Sequence, residues 1–206
     1  MTAVSACAVS QDLSDDHIRD RARAETWARR AMALDDDTGL SHMIVAALQL
    51  HVGGDLDVAL AEARLGLQRR PTCDVTFVVE PSVQRYLGAW EAAVEACRRA
   101  LELASMAQPW HSTVLASAYY VGERYDEAAE TAERLVQVGP SNLEALLVLA
   151  AAQQALGLPR RARATADAIV DQFPHARRQD LASHYPYRDP RILRRWSTHL
   201  AAAGLP

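Results

Sequence analysis

Lysine is absent from all 206 residues of the chain, so its 22 basic residues are arginines. This absence excludes a lysine nucleophile, a Schiff base and the lysine of a phosphate-binding loop. Aromatic residues make up only 6 % of the sequence, whereas hydrophobic residues make up 50 % and alanine is abundant. Alanine favours closely packed helices, and strands prefer aromatic and β-branched residues. The composition therefore predicts an all-α protein with a continuous core.

Cysteine and long apolar runs are also scarce. The three cysteines, Cys7, Cys73 and Cys97, are too few and too unevenly spaced for a disulfide framework or a metal site, so we expect a reducing, cytoplasmic setting. Val4–Cys7 resembles a lipoprotein cleavage box, but neither a basic segment nor an apolar stretch precedes it. No apolar run approaches the roughly 18 residues of a membrane span. We expect no membrane association.

The sequence patterns of common enzyme and metal sites are missing. There is no Gly-x-Ser-x-Gly elbow, no Gly-x-Gly-x-x-Gly loop and no His-x-x-x-His or Cys-x-x-Cys pair. Asp35–Gly39 lacks the ligand spacing of a calcium-binding EF-hand, and an inter-repeat turn explains it better. Cys97 falls on a small packing position, where burial is expected rather than reactivity. We predict no enzymatic activity, no cofactor and no metal.

What the chain does contain is a repeat of 34 residues. Small residues and a proline recur at this interval, as Gly54 and Gly88, Ala59 and Ala93, Gly66 and Ala100, and Pro140 and Pro174. Ala128 follows Ala93 by 35 residues, which predicts one inserted residue in the loop at Ala107–Pro109. A period of this length is typical of arrays of helical hairpins, in which each unit buries its apolar face against its neighbours.

These positions resemble the tetratricopeptide-repeat (TPR) family over about residues 20–174. In register with the family are the turn glycines Gly54 and Gly88, the small residues Ala59, Ala93, Ala128, Ala162, Gly66 and Ala100, and the closing prolines Pro71, Pro140 and Pro174. The resemblance implies a TPR-like right-handed superhelix of stacked antiparallel helix pairs. It has about four repeats, a leading helix and a C-terminal capping helix, and the first helix of each pair, helix A, lines a concave surface.

The repeat register also predicts the organisation of the chain. We expect a flexible tail over 1–16 and a single repeat domain over 17–206, which opens with a leading helix at 17–34. The four repeats are placed at about 40–71, 74–105, 109–140 and 143–174, and a capping segment at 175–206.

Local signals refine this prediction. In the first repeat we expect helices over Ser41–Val52 and Val58–Arg69, with Asp55 or Asp57 as the cap of the second. Pro81 and its β-branched neighbours predict a kinked or shortened helix A in the second repeat. In the capping segment Ile192, Trp196 and Leu200 predict an amphipathic closing helix that covers the last repeat.

The inward-facing positions of helix A in the family indicate a candidate groove for a partner, namely His51, Arg85, Tyr86, Trp110, Tyr120, Glu144 and Gln154. Aromatic residues and arginine supply most of the binding energy in protein interfaces. We therefore predict a non-catalytic protein–protein interaction module that binds a peptide or a partner protein on this surface. Packing of some of these side chains between repeats remains an open alternative.

The end of the chain, from Tyr187-Arg188-Asp189-Pro190 to Pro206, carries a looser resemblance. It is similar to the end of the repeat region that follows the catalytic domain in some bacterial class III adenylate or guanylate cyclases. This resemblance implies a regulatory role in a bacterial signalling system. The cyclase catalytic domain itself is not among the 206 residues.

Charge is unevenly distributed along the chain. Residues 158–206 hold nine arginines against four aspartates, whereas the preceding residues hold 13 arginines against 22 acids. The asymmetry leaves open a second function, head-to-tail self-association of acidic and basic ends. Nucleic-acid binding through Arg160-Arg161-x-Arg163 or Arg194-Arg195-Trp196 is a weaker alternative, because solvated helix faces and arginine stems beside an apolar stripe explain these clusters better.

Overall fold

The computed structural model of the chain describes residues 39–51, 54–69, 76–103, 109–139 and 142–206, together with Thr26 and Arg30. These residues form helices and turns, and no strand occurs among them, which confirms the predicted all-α class. The chain divides into two compact units, Met1–Val83 and Gln84–Pro206. The predicted tail at 1–16 lies outside the described residues. Of the predicted leading helix, only Thr26 and Arg30 are described, and both are helical.

The helices of the described ranges are α1 (Leu40–His51), α2 (Leu56–Arg69), α3 (Thr76–Tyr86), α4 (Trp90–Leu103), α5 (Pro109–Val121), α6 (Tyr125–Val138), α7 (Leu143–Ala155), α8 (Pro159–Gln172), α9 (Leu181–His184) and α10 (Pro190–Ala203). In the first unit α1 packs against α2. In the second unit α4, α5, α6, α7 and α8 pack in succession, and α5 also contacts α7. The odd-numbered helices from α1 to α7 are the A helices of the hairpins, and their partners α2 to α8 are the B helices.

Capping residues set several helix starts. The Asp55 carboxylate accepts hydrogen bonds from the amides of Asp57 at 2.8 Å and Val58 at 3.4 Å, which confirms the predicted cap of α2. Asn142 caps α7 by accepting from the Ala145 amide at 3.0 Å. Pro159 occupies the first turn of α8, where its missing N–H group costs no helical hydrogen bond.

Small residues let the helices approach closely. At the first crossing position Ala59, Ala93, Ala128 and Ala162 are all 0 % exposed. At the second crossing position a side-chain carbon added to Gly66 would lie 2.8 Å from Cγ of Met43 in α1, too close for two carbon atoms. The repeated small residues therefore form the contacts between helices, as the repeat register predicts.

The helix that contains Pro81 does not end at the proline, which lies inside α3. Because residues 70–75 lie outside the described ranges, the length of α3 does not test the predicted kink or shortening, and both stay predictions. The predicted insertion at Ala107–Pro109 falls mostly outside the described residues, and Pro109 begins α5.

The chain ends in an amphipathic helix, as predicted. In α10 the side chains of Ile192, Trp196 and Leu200 are buried, and the helix packs against α7 and α8. The Asp189 carboxylate caps its start by accepting from the Arg191 amide at 2.9 Å. Gly204, with φ of 96°, closes its end in the left-handed conformation that glycine adopts without steric cost.

Candidate functional site

The A helices of the second unit share one way of ending. Each is followed by a residue with positive φ, which is Gly88 at 82°, Glu123 at 59° and Gly157 at 71°. Glycine tolerates this conformation, but a residue with a side chain is strained in it. Glu123 therefore occupies a place that glycine fills in the neighbouring repeats. The sequence register places Glu123 here, since it precedes Ala128 by five residues as Gly88 precedes Ala93, but glutamate carries no preference that would predict the left-handed turn.

This shared turn identifies equivalent positions on the A helices. The amides of the three turn residues donate to the carbonyls of Arg85, Tyr120 and Gln154, so these three residues are equivalent. The last helical residues of α3 and α5, Tyr86 and Val121, are equivalent in the same way. We call the surface formed by Gln84–Tyr86 of α3 together with α5 and α7 the A-helix face.

A buried ion pair crosses the A-helix face. Arg85, which is only 4 % exposed, donates from Nη1 to the Glu144 carboxylate of α7. Its Nη2 donates to the Tyr86 hydroxyl at 2.9 Å, and its guanidinium carbon lies 4.5 Å from the centre of the Tyr86 ring. Burial has the largest effect and would lower the pKa of Arg85, but the charge of Glu144, the hydrogen bond to it and smaller contributions from Tyr86 and Tyr187 together raise that pKa above its ordinary value. Arg85 is therefore a fixed cation.

Residues Tyr185–Leu205, which we call the C-terminal segment, cover much of this face. The segment begins in an extended conformation, and the Arg188 amide donates to the Tyr86 carbonyl at 2.8 Å. The Tyr187 ring meets the Tyr86 ring edge to face, with 4.9 Å between ring centres, and its hydroxyl lies 3.1 Å from Oγ of Ser117 in α5. Burial raises the pKa of Tyr187, so its hydroxyl stays neutral. A polypeptide segment therefore occupies the A-helix face.

An arginine from α10 caps the next A helix. Nη2 of Arg195 donates to the carbonyls of Tyr120 at 3.2 Å and Val121 at 2.8 Å, and Nη1 pairs with Glu123. A cation at this position is favourable because the C-terminal end of a helix carries partial negative charge. The equivalent carbonyls of Tyr86 and Val121 thus each accept a hydrogen bond from the C-terminal segment.

Tyr120 and His199 form a second polar contact with α10. The Tyr120 hydroxyl lies 2.7 Å from Nδ1 of His199, and the His199 ring also stacks edge to face with the Tyr125 ring. Burial, and then the charge of Arg195, lower the pKa of His199. A neutral imidazole is therefore favoured, and its Nδ1 can accept a hydrogen bond from the Tyr120 hydroxyl, which keeps its proton because burial raises the pKa of Tyr120.

Trp196 anchors the C-terminal segment. Its side chain is 1 % exposed, and its indole nitrogen lies 3.4 Å from the Leu147 carbonyl of α7. The rings of Tyr185 and Tyr187 lie 4.9 Å and 6.2 Å from it. Burial of so large an aromatic side chain makes α10 the strongest part of the contact.

The structure distributes the predicted groove residues between two environments. Arg85, Tyr86 and Tyr120 are buried, and each contacts the C-terminal segment or supports a residue that does. The residues at the start of the A helices are more open. Trp110 is 47 % exposed, and the Glu144 side chain is 20 % exposed.

Two further groove residues complete this set. Gln154, at the end of α7, is partly exposed, and its Oε1 is buried with no hydrogen-bond partner among the described residues. His51 ends α1 in the first unit, and its side chain lies outside the part of the chain that the structure describes.

The thiol of Cys97, the one cysteine among the described residues, is not exposed. Cys97 is 0 % exposed, as predicted, and burial raises the pKa of its thiol to about 12. Within the described ranges, no three histidine, cysteine or acidic side chains form a cluster fit for a metal ion. Among the described helices, none has both the length and the apolar character needed to cross a bilayer.

Comparison with known proteins bears on the repeat type. Residues 122–185 match the family model described as tetratricopeptide repeat. Among solved structures, the chain is similar to YrrB, a TPR protein with an unusual peptide-binding site, with a TM-score of 0.57 and 17 % identity over 85 % of this chain and 90 % of YrrB. These findings support the TPR family. The TPR-like helical repeat predicted from the register is confirmed.

A second similar structure is the MamA protein, with a TM-score of 0.58 and 16 % identity over 81 % of this chain and 90 % of MamA. At such identities the likeness concerns the fold. A search of curated protein sequences finds no match. The resemblance to the repeat region of class III cyclases stays a prediction.

Proposed function

We propose that the chain is a non-catalytic interaction module that binds a peptide, or an extended part of a partner protein, on the A-helix face. The observation that carries this proposal is that the face already holds a polypeptide, the C-terminal segment. It does so through a main-chain carbonyl of Tyr86, an aromatic contact with Tyr187 and the helix-end carbonyls of α5. These are the kinds of contact by which repeat surfaces bind extended peptides.

Partner contact begins, in this proposal, at the open starts of the A helices. Trp110 is the most exposed aromatic side chain of the predicted groove, and Glu144 lies at the start of α7, the next A helix. An exposed tryptophan on α5 and a partly exposed carboxylate on α7 offer apolar area and one charge-assisted acceptor. Arg85, Tyr86 and Tyr120 become partner contacts only where the C-terminal segment moves aside.

A peptide-library selection against the full chain tests this proposal. We expect selected peptides to bind the Trp110→Ala variant about tenfold more weakly than the wild type, as measured by fluorescence anisotropy. Val170→Ala is the matched control, because Val170 is an apolar residue with 38 % exposure on the B helix α8. Equal weakening by the two variants, or no selected peptide at all, would contradict binding on the A-helix face.

The biological setting of the module belongs to the same proposal. We place it in a bacterial signalling system and in the cytoplasm, on the basis of the cyclase resemblance and the sparse, unpaired cysteines of the sequence. Co-purification of a signalling enzyme with the wild type but not with Trp110→Ala supports this setting. Secretion of the protein by its native cell would contradict it.

A further inference from the structure

The contact between the C-terminal segment and the A-helix face follows the repeat register. The Tyr86 and Val121 carbonyls are the last helical acceptors of two successive A helices, and each accepts a hydrogen bond from the segment at 2.8 Å. One donor is the main-chain amide of Arg188, and the other is the guanidinium of Arg195. The face thus recognises its occupant through a feature that recurs in two successive A helices, so it is suited to binding more than one segment.

The two parts of the C-terminal segment are bound to different degrees. In α10 the apolar side chains Ile192, Trp196, Leu200 and Ala203 are all buried. In the extended part, Tyr185–Arg188, only Tyr187 is buried to the same degree, while Tyr185 and Pro186 are partly exposed and Arg188 is exposed. Because apolar burial dominates the free energy of such a contact, the extended part opens at a lower cost than α10.

The extended part also contains a tight turn at Pro186. The Tyr187 amide donates to the Tyr185 carbonyl at 2.8 Å, so the chain makes a tight turn around Pro186. Proline fixes one backbone angle in advance, which lowers the entropy that this conformation costs. An aromatic-Pro-aromatic sequence therefore places its second ring against Tyr86 and Ser117 at a small cost in conformational entropy.

We propose that Tyr185–Arg188 is a resident occupant of the partner site, which a partner peptide of the same chemistry replaces while α10 stays bound. This inference rests on the proposed function and names the partner as an extended protein segment with an aromatic-Pro-aromatic sequence. The incoming second ring packs against Tyr86, its hydroxyl meets Ser117, and the following amide donates to the Tyr86 carbonyl. Bound in this way, Tyr185–Arg188 inhibits partner binding.

A labelled peptide of residues 183–190 tests the replacement directly. We expect the full-length Tyr187→Ala chain, in which the place of the ring is vacant, to bind this peptide at least about tenfold more tightly than the wild type by fluorescence anisotropy. Arg194→Ala is the matched control, because Arg194 is exposed on α10, and it should bind the peptide as weakly as the wild type does. The same peptide with alanine for Tyr187 should not bind.

Equal binding of the peptide by the wild-type and Tyr187→Ala chains would overturn the inference, as would no binding by a Tyr187→Ala chain of unchanged helicity. If the Tyr187→Ala variant does not fold, amide hydrogen exchange of the wild-type protein tests the inference instead. The Arg188 amide should exchange faster than the amides of α5 and α10, and faster still with excess unlabelled peptide. Exchange of the Arg188 amide only together with the amides of α5 would overturn the inference.

The two proposals fail in different ways. Library-selected peptides that depend on Trp110 but leave the exchange of the Arg188 amide unchanged would overturn replacement and support the proposed function. If the peptide of residues 183–190 binds the Tyr187→Ala chain but no foreign peptide binds either chain, the segment is a structural cap and the proposed function fails.

Discussion

Arg85 and Glu144 show how unequal the two partners of one ion pair are. The Arg85 side chain is 5 % exposed and that of Glu144 is 20 % exposed, so water reaches the carboxylate more easily than the guanidinium. Removing one partner of a buried pair leaves the other charge without compensation, and the cost depends on how well water can replace the lost partner. Arg85 depends on Glu144 more than Glu144 depends on Arg85.

Glu144→Ala should therefore destabilise the second unit more than Arg85→Met does. We expect a loss of about 3 kcal/mol for Glu144→Ala, because a buried guanidinium is left unpaired, and of about 1.5 kcal/mol for Arg85→Met, which keeps most of the side-chain volume. Urea unfolding followed by circular dichroism measures both. Glu144→Gln keeps an acceptor and serves as the control with an intermediate loss. A larger loss for Arg85→Met than for Glu144→Ala would contradict this account.

Single residues were also where sequence reasoning was weakest. The register correctly places Arg85, Tyr86 and Tyr120 on the A helices, but it predicts which side of a helix they occupy and not what covers that side. Glu123 is a stronger example, since its left-handed conformation belongs to the turn of the repeat and its side chain pairs with Arg195, which is 72 residues away. A local sequence pattern carries no record of such a distant partner.

Helix α10 is held on α5 by groups that respond to pH. His199 faces Tyr120 and Tyr125, together with Arg195 from its own helix and Glu123 from the turn after α5. The pKa of His199 is lowered in the folded protein from its ordinary value of 6.5, mainly by burial. Between these two pKa values the unfolded chain binds more protons than the folded one, so stability falls as the pH falls below about 6.5.

Acidification should therefore loosen α10. We expect the wild type to lose stability between about pH 7 and pH 5, and the His199→Gln variant to lose less, because glutamine does not titrate yet still offers Tyr120 an acceptor. Urea midpoints of the two proteins across this range give the difference between them. If the urea midpoints of the two proteins fall in parallel as the pH falls, titration of His199 does not explain the pH dependence of stability.

Helix positions were predicted well because local rules determine them. Helices predicted over Ser41–Val52 and Val58–Arg69 are found at Leu40–His51 and Leu56–Arg69, and the start of the latter follows from the Asp55 cap. The apolar stripe of α10 is predicted for the same reason, because the helical spacing of its apolar residues indicates a face that must be buried. Its packing on α7 and α8, with Tyr120 of α5, depends on tertiary contacts that the periodicity of one helix does not contain.

At the scale of the molecule, the basic C-terminal quarter is less available than its sequence suggests. Arg161 pairs with Glu133 at 2.6 Å, Arg163 with Asp167 at 3.0 Å, and Arg195 with Glu123. These arginines meet acidic side chains within the second unit, which weakens their attraction for a distant acidic surface. The pairing therefore argues against both the head-to-tail assembly and the nucleic-acid binding that the composition leaves open.

The mass of the protein in solution should accordingly be insensitive to salt. We expect multi-angle light scattering to give one molar mass at low and at high ionic strength, because Arg161 and Arg195 already have acidic partners within the second unit. A mixture with an added unrelated duplex DNA should elute as two separate peaks. A larger species that dissociates on addition of salt would favour self-association through the acidic and basic ends.

The left-handed Glu123 has a consequence for how the chain folds as it is synthesised. The turn between α5 and α6 is strained at this residue, and the arginine that pairs with its side chain is 72 positions downstream. A nascent chain folds from its N-terminus, so this hairpin leaves the ribosome before its counter-ion does. The α5–α6 hairpin can therefore form first, and the contact between Arg195 and Glu123 is added only when α10 has followed it out of the ribosome.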